Sequence, residues 1–549
     1  MRPVPNDIRR IQALPRRVLG DGVALAEKWT RLLRRHPDAP PLRPIQGLAL
    51  EEIYKAPSPC GILGAVGVGY GKTLISFLAG AVKEARRPML CIPPDLKTQT
   101  MQNLHIWSKH YRFPKPRVLS YAVLSQPSSS DLLTRLAPDL LVFDEVHSIA
   151  NFEAARTKRV ARYMEDNRDT CVVALSGTMT QASVHDYAHI AQWALRDGTC
   201  LPMSFSLLEH FSAVLDSGGI PSVQSLDLVQ AATRAPALYG PLEQQQEQCR
   251  VAYQRLFKET PGIIATSESA IPAKLVGREL HFTPADVVTD ALNALESTWE
   301  LPDGSQLVDA LSYARACKQV AAGFYYVWDW PNGEPDNEWL DARKTWGRVI
   351  RATLRANARE NFDSPALVTR EAIAGTASAG ILLAWKRWAA VKDRPEPPTK
   401  AVWLDKGLVF DVAERIAAAP EPCLVWYQTR AMGEMLGLMG LPVHGQGSEK
   451  PRIADTEYPA LSTRVHNKGK DLQEWHRNLV VEPSSNGATW EQLLGRTHRV
   501  GQSADTVYVD AYVDPWPFRA AIQKAKREAL YMQDTTGQVQ RINLVNWSK

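Results

Sequence analysis

A glycine-rich turn between an apolar strand and a helix constrains this chain more than any other feature. GILGAVG (61–67) predicts a buried strand, GVGYGKT (67–73) the turn, and TLISFLAGAVKEA (73–85) the helix. Glycines at such a turn let backbone N–H groups close on phosphates, and the helix N-terminus adds positive potential. The arrangement predicts a nucleotide site in an α/β domain.

The lysine and threonine that end the turn carry the predicted chemistry. Lys72 is predicted to reach the β- and γ-phosphates of ATP, and the Thr73 hydroxyl to hold Mg²⁺. The strict pattern GxxxxGK[ST] has glycine where this chain has Val66, so a plain glycine turn is the alternative interpretation. The predicted nucleotide-binding residues of the turn are Gly67, Gly69, Gly71, Lys72 and Thr73.

A second strand, LLVFDEVH (140–147), ends in two adjacent acids. A buried parallel strand delivers Asp144 and Glu145 at its carboxyl edge, where ligands bind in open α/β sheets. Asp144 fits a role in holding Mg²⁺, and Glu145 that of a general base for an attacking water. Capping of a helix or binding of a structural cation is the alternative.

Short apolar segments alternate with helical patterns in two parts of the chain. Such alternation predicts parallel sheets with helices on both faces, hence two α/β domains. The remaining predicted strands are MLCIPP (89–94), RVLSY (117–121), CVVALS (171–176), CLVWYQ (423–428), NLVVEP (478–483) and TVYVDAYV (506–513).

Between these parts, residues 201–399 have a mostly helical pattern and are rich in Ala, Arg and Trp. Tryptophans can stack on bases of a single strand or wedge a fork. In KQVAAGFYYVW (318–328) and ILLAWKRWAA (381–390), however, they recur near helical spacing among apolar residues. Core packing is therefore the favoured interpretation.

Near the C-terminus, WEQLLGRTHRVGQ (490–502) places Arg496 and Arg499 three residues apart on what we predict to be one face of a short helix, with Gln492 one turn earlier. A solvated helix face is one interpretation. The other is an anion between the two guanidinium groups. In γ-phosphoryl hydrolysis, a positioned arginine stabilises charge on the equatorial oxygens and is worth ~10³–10⁵ in rate.

Together these segments resemble the motifs of superfamily 2 helicases and translocases, within them the SWI/SNF-type branch. GVGYGKT, DEVHSIAN (144–151) and QLLGRTHRVGQ (492–502) are similar to motifs I, II and VI. Weaker similarities are LRPIQGLAL (42–50) before motif I, LCIPPDLKTQTMQNL (90–104) to motif Ia, LSGTMTQAS (175–183) to motif III, CLVWYQTR (423–430) to motif IV and STRVHNKGKDLQEW (462–475) to motif V.

The resemblance implies two RecA-like domains that close on ATP and Mg²⁺ and move along nucleic acid. It makes Lys72, Asp144 and Glu145 catalytic, together with Gln492, Arg496 and Arg499. Gln46 is then expected to read adenine, and Gly469 to belong to the nucleotide site. The compact second motor domain further resembles phage-encoded members of this branch.

Nucleic-acid contact is expected from motifs Ia, IV and V and from the turn after the third strand. Backbone tracking needs hydroxyls, amides and a few cations rather than base-reading side chains. The candidates are Lys97, Thr98, Gln99, Ser120, Tyr121, Thr429, Arg430, Ser462, Thr463 and Arg464. For each of them, an ordinary loop residue is the alternative.

Composition limits the partners and the cellular compartment that we expect for this protein. The 549 residues carry a net charge of +5, a mild basic bias that is compatible with nucleic acid. Residues 1–40 alone also carry a net +5, so this basic arm is either a phosphate contact or a solvated helix. Seven scattered cysteines without a CxxC pair predict a reducing compartment, and no apolar run predicts a membrane span.

We therefore expect an ATP-dependent DNA translocase or helicase that acts as a monomer in the cytoplasm, that of a bacterial host if the chain is phage-encoded. Duplex DNA is the favoured partner, with forked or single-stranded DNA, RNA and a protein partner left open. The alternatives are an unwinding helicase, a phosphate-loop phosphotransferase and a non-catalytic clamp. The predicted domains are the basic arm 1–40, motor domain 41–200, the helical region 201–399, motor domain 400–515 and a C-terminal helix and tail 516–549.

Overall fold

In the computed structural model, the described residues are 4–180, 183–266, 271–305, 307, 310–331, 333–356, 365–445, 451–466 and 471–548. They form two compact units. Unit 1 comprises residues 1–268, 338–393 and 530–539, and unit 2 comprises residues 269–337, 394–529 and 540–549. These ranges differ from the domains expected from sequence, because the middle region is divided between the units and the C-terminal segment contributes to both.

Unit 1 is built on a six-stranded sheet in which every neighbouring pair is parallel. Four of its strands are buried along their whole length and mainly apolar, as expected for a parallel sheet covered on both faces. The strands follow the order β3-β2-β4-β5-β1-β6. Their bounds are β1 Ile62–Ala65, β2 Pro88–Ile92, β3 Arg117–Ser120, β4 Leu140–Asp144, β5 Cys171–Ser176 and β6 Ile263–Ala265.

Helices pack on both faces of this sheet, and each face has its own hydrophobic core cluster. The helices of the first 268 residues are α1 Asn6–Ala13, α2 Gly22–Leu33, α3 Pro44–Lys55, α4 Lys72–Val82, α5 Lys97–His110, α6 Tyr121–Ser125, α7 Leu132–Leu136, α8 Ala155–Asp166, α9 His185–Leu195, α10 Phe205–Leu215, α11 Val223–Thr233 and α12 Leu242–Glu259.

Unit 2 is built on a seven-stranded sheet, again parallel throughout, in the order β11-β12-β10-β13-β14-β7-β15. A two-stranded antiparallel ribbon, β8 with β9, accompanies it. The strands are β7 Lys274–Leu280, β8 Phe324–Trp328, β9 Thr399–Trp403, β10 Leu424–Tyr427, β11 Val443–His444, β12 Ala460–Ser462, β13 Arg477–Val480, β14 Thr506–Tyr512 and β15 Asn546–Ser548.

The remaining helices belong to the middle region and to the C-terminal half. They are α13 Asp286–Thr298, α14 Ala310–Ala321, α15 Asn337–Ala356, α16 Pro365–Ala374, α17 Ala379–Val391, α18 Gly407–Ala417, α19 Arg430–Leu438, α20 Thr463–His466, α21 Gly487–Thr497, α22 Trp516–Thr536 and α23 Arg541–Leu544.

The expected α/β fold with two parallel-sheet domains is confirmed, and every strand predicted from the sequence is found. The middle region is mainly helical, as expected, but it also supplies β6 to the first sheet and β7 to the second. Strand β7 pairs with β14 along seven residues.

The basic N-terminal segment is part of the body of unit 1. In α1, Ile8 and Ile11 are completely buried in its core. Arg10 donates to the carbonyls of Thr199 and Leu201 at 2.6 and 2.8 Å. Of the two alternatives for the basic arm, a solvated helix is therefore wrong for α1, and a phosphate contact stays a prediction.

The tryptophans of α15 and α17 form a core of their own. Trp346 stacks at a tilt on Trp385 with ring centroids 5.3 Å apart, and Trp339 lies 6.0 Å from Trp388. Trp339 and Trp346 are only 3% and 6% exposed. The core-packing interpretation is confirmed for these residues.

Among the described residues, no single helix is long and apolar enough to cross a membrane, and α16 with α17 reaches that length and composition only as a pair bent by 93°.

Candidate nucleotide-binding and catalytic site

The turn after β1 leads directly into α4, as the sequence predicts. Gly69 and Gly71 have φ of 90° and 79°, a left-handed conformation that glycine adopts without a steric penalty. Gly71 is the N-cap of α4, so Lys72 is the first residue of the helix. The first backbone N–H groups of an α-helix generally lack intrahelical partners, which suits an anion.

The Lys72 ammonium points back over the turn that precedes it. Its Nζ donates to the carbonyls of Val66 and Gly67 at 3.1 and 3.4 Å and lies 3.4 Å from Glu145 Oε1. A methyl group at Gly177, after β5, would come within 3.3 Å of this Nζ. Lys72 is thus enclosed by three loops at the carboxyl edge of the sheet.

Asp144 and Glu145 lie at the end of β4, opposite the turn. Asp144 is 4% exposed, and its carboxylate accepts a hydrogen bond from the Glu145 N–H at 3.1 Å. The Thr73 hydroxyl is near enough to this carboxylate to lower its pKa. Burial, together with the neighbouring Glu145 carboxylate, raises the pKa of Asp144, although Lys72 opposes the shift. The two carboxylates lie close together beside one ammonium. A bound divalent cation would reduce the repulsion between them.

This donor set fits Mg²⁺. Thr73 supplies a hydroxyl oxygen and Asp144 a carboxylate oxygen, and hard oxygen donors are those that Mg²⁺ prefers. Mg²⁺ usually binds through one or two such groups plus substrate phosphates and water. The residues present therefore suit a metal held jointly by protein and nucleotide.

Glu145 adopts an unusual backbone conformation, with φ of 54° and ψ of 55°. For a residue with a Cβ this region costs energy, and such outliers concentrate at functional sites. Glu145 Oε2 lies 3.4 Å from Ser176 Oγ and 3.5 Å from His147 Nδ1. Ser176 Oγ in turn lies 3.0 Å from His147 Nδ1, so the three side chains form one cluster.

Gln46 contacts the glycine turn through its side-chain amide. Its Nε2 donates to the Gly71 carbonyl at 3.1 Å, while its Oε1 accepts the Arg43 N–H at 2.8 Å. The Arg43 guanidinium reaches the Gly69 carbonyl. Gln46 therefore braces the turn, and its expected role in reading adenine stays a prediction.

Sequence reasoning missed two hydroxyl residues at this site. Ser176 ends β5 and holds Glu145 and His147. Thr266 follows β6, and its Oγ1 accepts the Gly67 N–H at 3.1 Å. The SGT segment was a signal for Ser176. Nothing local indicates Thr266, which is 199 positions from Gly67.

A cavity of about 460 Å³ lies beside this cluster within unit 1. His147 forms one wall and Met179 and Thr180 another, with His185 and Asp186 from the start of α9. The cavity thus lies between the segments after β4 and β5 and the start of α9.

In unit 2, motif VI lies on α21 and the turn that follows. The helix begins after Asn486, whose side chain accepts the Thr489 N–H at 3.0 Å. Arg496 is 7% exposed, and its Nε donates to the Gln492 carbonyl at 3.0 Å. The helix ends at Thr497.

Arg499 lies beyond the end of that helix and pairs with Asp471. The prediction that both arginines share one helical face is therefore wrong, because the intrahelical ladder stops before Arg499. Gly469 lies outside the described residues.

The residues expected to contact nucleic acid differ in how exposed they are. Thr429 is partly exposed, and its hydroxyl donates to Glu482 Oε1 at 2.8 Å, while its N–H donates to Glu482 Oε2 at 2.8 Å. Exposed candidates are Lys97, Thr98, Arg430 and Arg464; Gln99 is partly exposed; Ser120, Tyr121, Ser462 and Thr463 are buried.

Glu482 is a further residue that sequence reasoning missed. It lies two residues after β13 and is 5% exposed. Burial raises the pKa of this carboxyl, while the hydrogen bonds from Thr429 and Gln428 and the charge of Lys318 oppose the shift. An acid at the carboxyl end of an apolar strand was the signal that could have found it, as it found Asp144.

The chain is similar to solved structures, among them a SWI2/SNF2 ATPase core. The Sulfolobus solfataricus SWI2/SNF2 ATPase core in complex with dsDNA matches over 86% of this chain and 88% of its own, with 15% identity and a TM-score of 0.33. No protein-family model and no curated protein matches the chain. The family assignment and phage-like character thus stay predictions that rest on the motifs.

Proposed function

We propose that this protein is an ATP-driven motor of the SWI/SNF-like type that moves along double-stranded DNA. One observation supports ATP hydrolysis above the others: Lys72 Nζ lies 3.4 Å from Glu145 Oε1 at the carboxyl edge of a parallel sheet. These two residues come from separate motifs, and each has the chemistry that its motif assigns to it.

ATP binding is assigned to the turn and to Lys72. The N-terminal N–H groups of α4 and the Lys72 ammonium would bind the phosphates, and Mg²⁺ held by Thr73 and Asp144 would neutralise charge on them. The Lys72 ammonium would exchange its contacts with the Val66 and Gly67 carbonyls for stronger, charge-assisted bonds to phosphate oxygens.

Hydrolysis requires a water aligned with the γ-phosphorus and a group that takes its proton. Glu145 is the proposed base. Ser176 Oγ at 3.4 Å and His147 Nδ1 at 3.5 Å from its Oε2 orient the carboxylate. Its contact with Lys72 would loosen as the ammonium turns to phosphate, which frees a carboxylate oxygen for the water. Arg496 and Arg499 are proposed to stabilise the charge of the transition state. That role rests on motif VI.

Movement along DNA is proposed from the same motifs, with the exposed Lys97, Arg430 and Arg464 among the phosphate contacts. Three exposed cations on separate elements suit a backbone that is followed without reading sequence. The buried tryptophan pairs of α15 and α17 remove one reason to favour a strand-separating wedge there.

The experiment that tests the proposal is ATP turnover at one fixed salt concentration with no nucleic acid, blunt duplex DNA, single-stranded DNA or RNA, since binding depends on salt. Strong stimulation by duplex DNA is expected, followed by displacement of a third strand from a triplex. Turnover that is stimulated only by single strands or forks would make the protein an unwinding helicase. Phosphate transfer to a small molecule without nucleic acid would make it a phosphotransferase.

A further inference from the structure

Helix α15 carries basic residues at a spacing that places them on one side. Lys344, Arg348, Arg351 and Arg355 follow one another at four, three and four residues. At 3.6 residues per turn these positions fall within an arc of roughly 60° and extend along about 16 Å of the helix axis. We call these four residues the basic stripe.

The opposite side of α15 is the one that packs. Trp339, Ala342, Trp346 and Thr353 are all less than a tenth exposed. By the same helical geometry they lie about half a turn away from the basic stripe. The rings of Trp339 and Trp346 contact tryptophans of α17. This packing fixes the rotation of α15 and leaves Lys344 and Arg348 exposed on the outer side.

Two residues of the basic stripe carry charges that no neighbour in the described part of the chain neutralises. Lys344 and Arg348 are exposed, and neither forms an ion pair with any residue in the described part of the chain. Asp341 precedes the stripe, and the next acid in the sequence is Glu360. Arg343 differs, because its guanidinium lies 4.7 Å from the centre of the Trp339 ring, on the flank of the helix.

A hydrogen bond joins the helix that bears the basic stripe, α15, to helix α8 of unit 1. Lys158 of α8 is 2% exposed and donates from Nζ to the Leu354 carbonyl of α15 at 2.9 Å. Helix α8 begins eleven residues after Asp144. The basic stripe and the acids after β4 therefore belong to one compact unit.

We propose that the basic stripe is a second DNA-binding surface, separate from the motor motifs, and that it holds the phosphate backbone of duplex DNA. This inference rests on the proposed function, because it assumes that DNA is the partner. A helix whose sequence spaces four cations in this way, with the intervening Trp346 buried, suits a continuous row of phosphates. Single strands are bound through stacking on aromatic side chains, and the tryptophans of α15 are buried.

The test is the salt dependence of duplex binding, without nucleotide, for the wild type and the variant Lys344→Gln/Arg348→Gln/Arg351→Gln. Each phosphate contact contributes about 0.9 to the slope of log K against log salt. If all three residues contact phosphate, the slope should decrease in magnitude by about 2.7, with affinity falling on the order of 10–100-fold near physiological salt.

A matched control removes three exposed arginines that are already paired with acids: Arg135→Gln/Arg255→Gln/Arg519→Gln. It changes the net charge equally and is expected to keep the wild-type slope. The single variant Arg348→Lys retains a cation and should also keep it. Equal thermal unfolding midpoints of all variants would show that the stripe variant is folded.

The outcomes distinguish a failure of the basic stripe from a failure of the proposed function. A wild type that binds duplex DNA with the same slope as the stripe variant would overturn the stripe while leaving the proposed function intact. An equal change of slope in the control variant would show that net charge causes the effect, and this would overturn the basic stripe as well. A change of slope on single-stranded DNA only would also overturn it. A wild type that binds no nucleic acid would overturn the proposed function itself.

Discussion

The phenol of Tyr121 donates a hydrogen bond to the backbone carbonyl of Asp144 at 2.9 Å. Tyr121 is 2% exposed, and burial together with nearby carboxylates raises its pKa well above the ordinary value, so the phenol stays protonated and can donate. Tyr121, which was expected to contact nucleic acid, thus supports the strand end that carries the proposed catalytic acids.

Replacement of this tyrosine by phenylalanine tests that role. Tyr121→Phe keeps the ring in the core but leaves the Asp144 carbonyl without this donor, which costs about 1–3 kcal/mol in a buried site. We expect a lower unfolding midpoint in urea and slower ATP turnover with unchanged DNA affinity. Lower DNA affinity with unchanged stability would instead restore the nucleic-acid role.

The ammonium of Lys72 is expected to be essential for turnover. Lys72→Ala should reduce kcat for ATP hydrolysis by at least about 10²–10³, the usual loss when one preorganised charge or donor to the reacting group is removed. Lys83→Ala, just beyond the other end of α4, is the matched control and should leave turnover near that of the wild type. Unaltered hydrolysis in Lys72→Ala would remove the assignment of the glycine turn.

Glu145 is expected to act after binding. Glu145→Gln preserves shape but removes the base, so ATP should stay bound and uncleaved. Equilibrium binding of a fluorescent ATP analogue, compared with single-turnover hydrolysis, separates the two steps. Ser176→Ala should give a smaller decrease in kcat because it acts only through the orientation of Glu145. Normal turnover in Glu145→Gln would exclude this carboxylate as the base.

Arg499 is expected to affect hydrolysis more than binding. Arg499→Ala should slow turnover while the Kd for ATP changes little, because a transition-state contact contributes to kcat. Arg499→Lys should recover little of the rate, since an ammonium lacks the guanidinium fork. Asp471→Asn removes its ion-pair partner and serves as the control for local structure. A large loss of ATP affinity in Arg499→Ala would make it a binding residue.

The stability of unit 2 is expected to fall with acid because of His498. Its Nε2 lies 2.8 Å from the Ala273 carbonyl, and burial, with the charge of Arg541, lowers its pKa to about 4. The unfolded chain, with a pKa of about 6.5, takes up the proton first, so stability is full above about pH 6.5 and declines towards pH 4. The loss is at most about 3 kcal/mol.

Unfolding of the wild type and of His498→Gln, measured between pH 7 and 4, isolates this contribution. The glutamine amide can still donate to the Ala273 carbonyl but does not titrate. Its stability should therefore decline less steeply in that interval. Parallel curves for the two proteins would mean that other groups cause the acid sensitivity.

Local patterns in the sequence determined the two parallel sheets and the elements that carry the motifs. The apolar runs before Asp144 and before the glycine turn are read correctly because a strand buried on both faces needs nothing but apolar residues. Glycines with positive φ at positions 69 and 71 are likewise a local requirement of the turn. The positions of Lys72, Thr73, Asp144 and Glu145 at one sheet edge follow from β1 and β4 being parallel.

Only the tertiary structure decided which side chains support these residues and which residues are inaccessible. Tyr121 and Thr429 look like exposed loop residues, but their partners, the Asp144 carbonyl and Glu482, lie 23 and 53 positions away. Strand β7 was missed because Gly277 and Arg278 interrupt its apolar residues, and pairing with the distant β14 provides its hydrogen bonds. Periodicity records how a segment faces its neighbours, but not which neighbours it meets; long-range packing makes that choice.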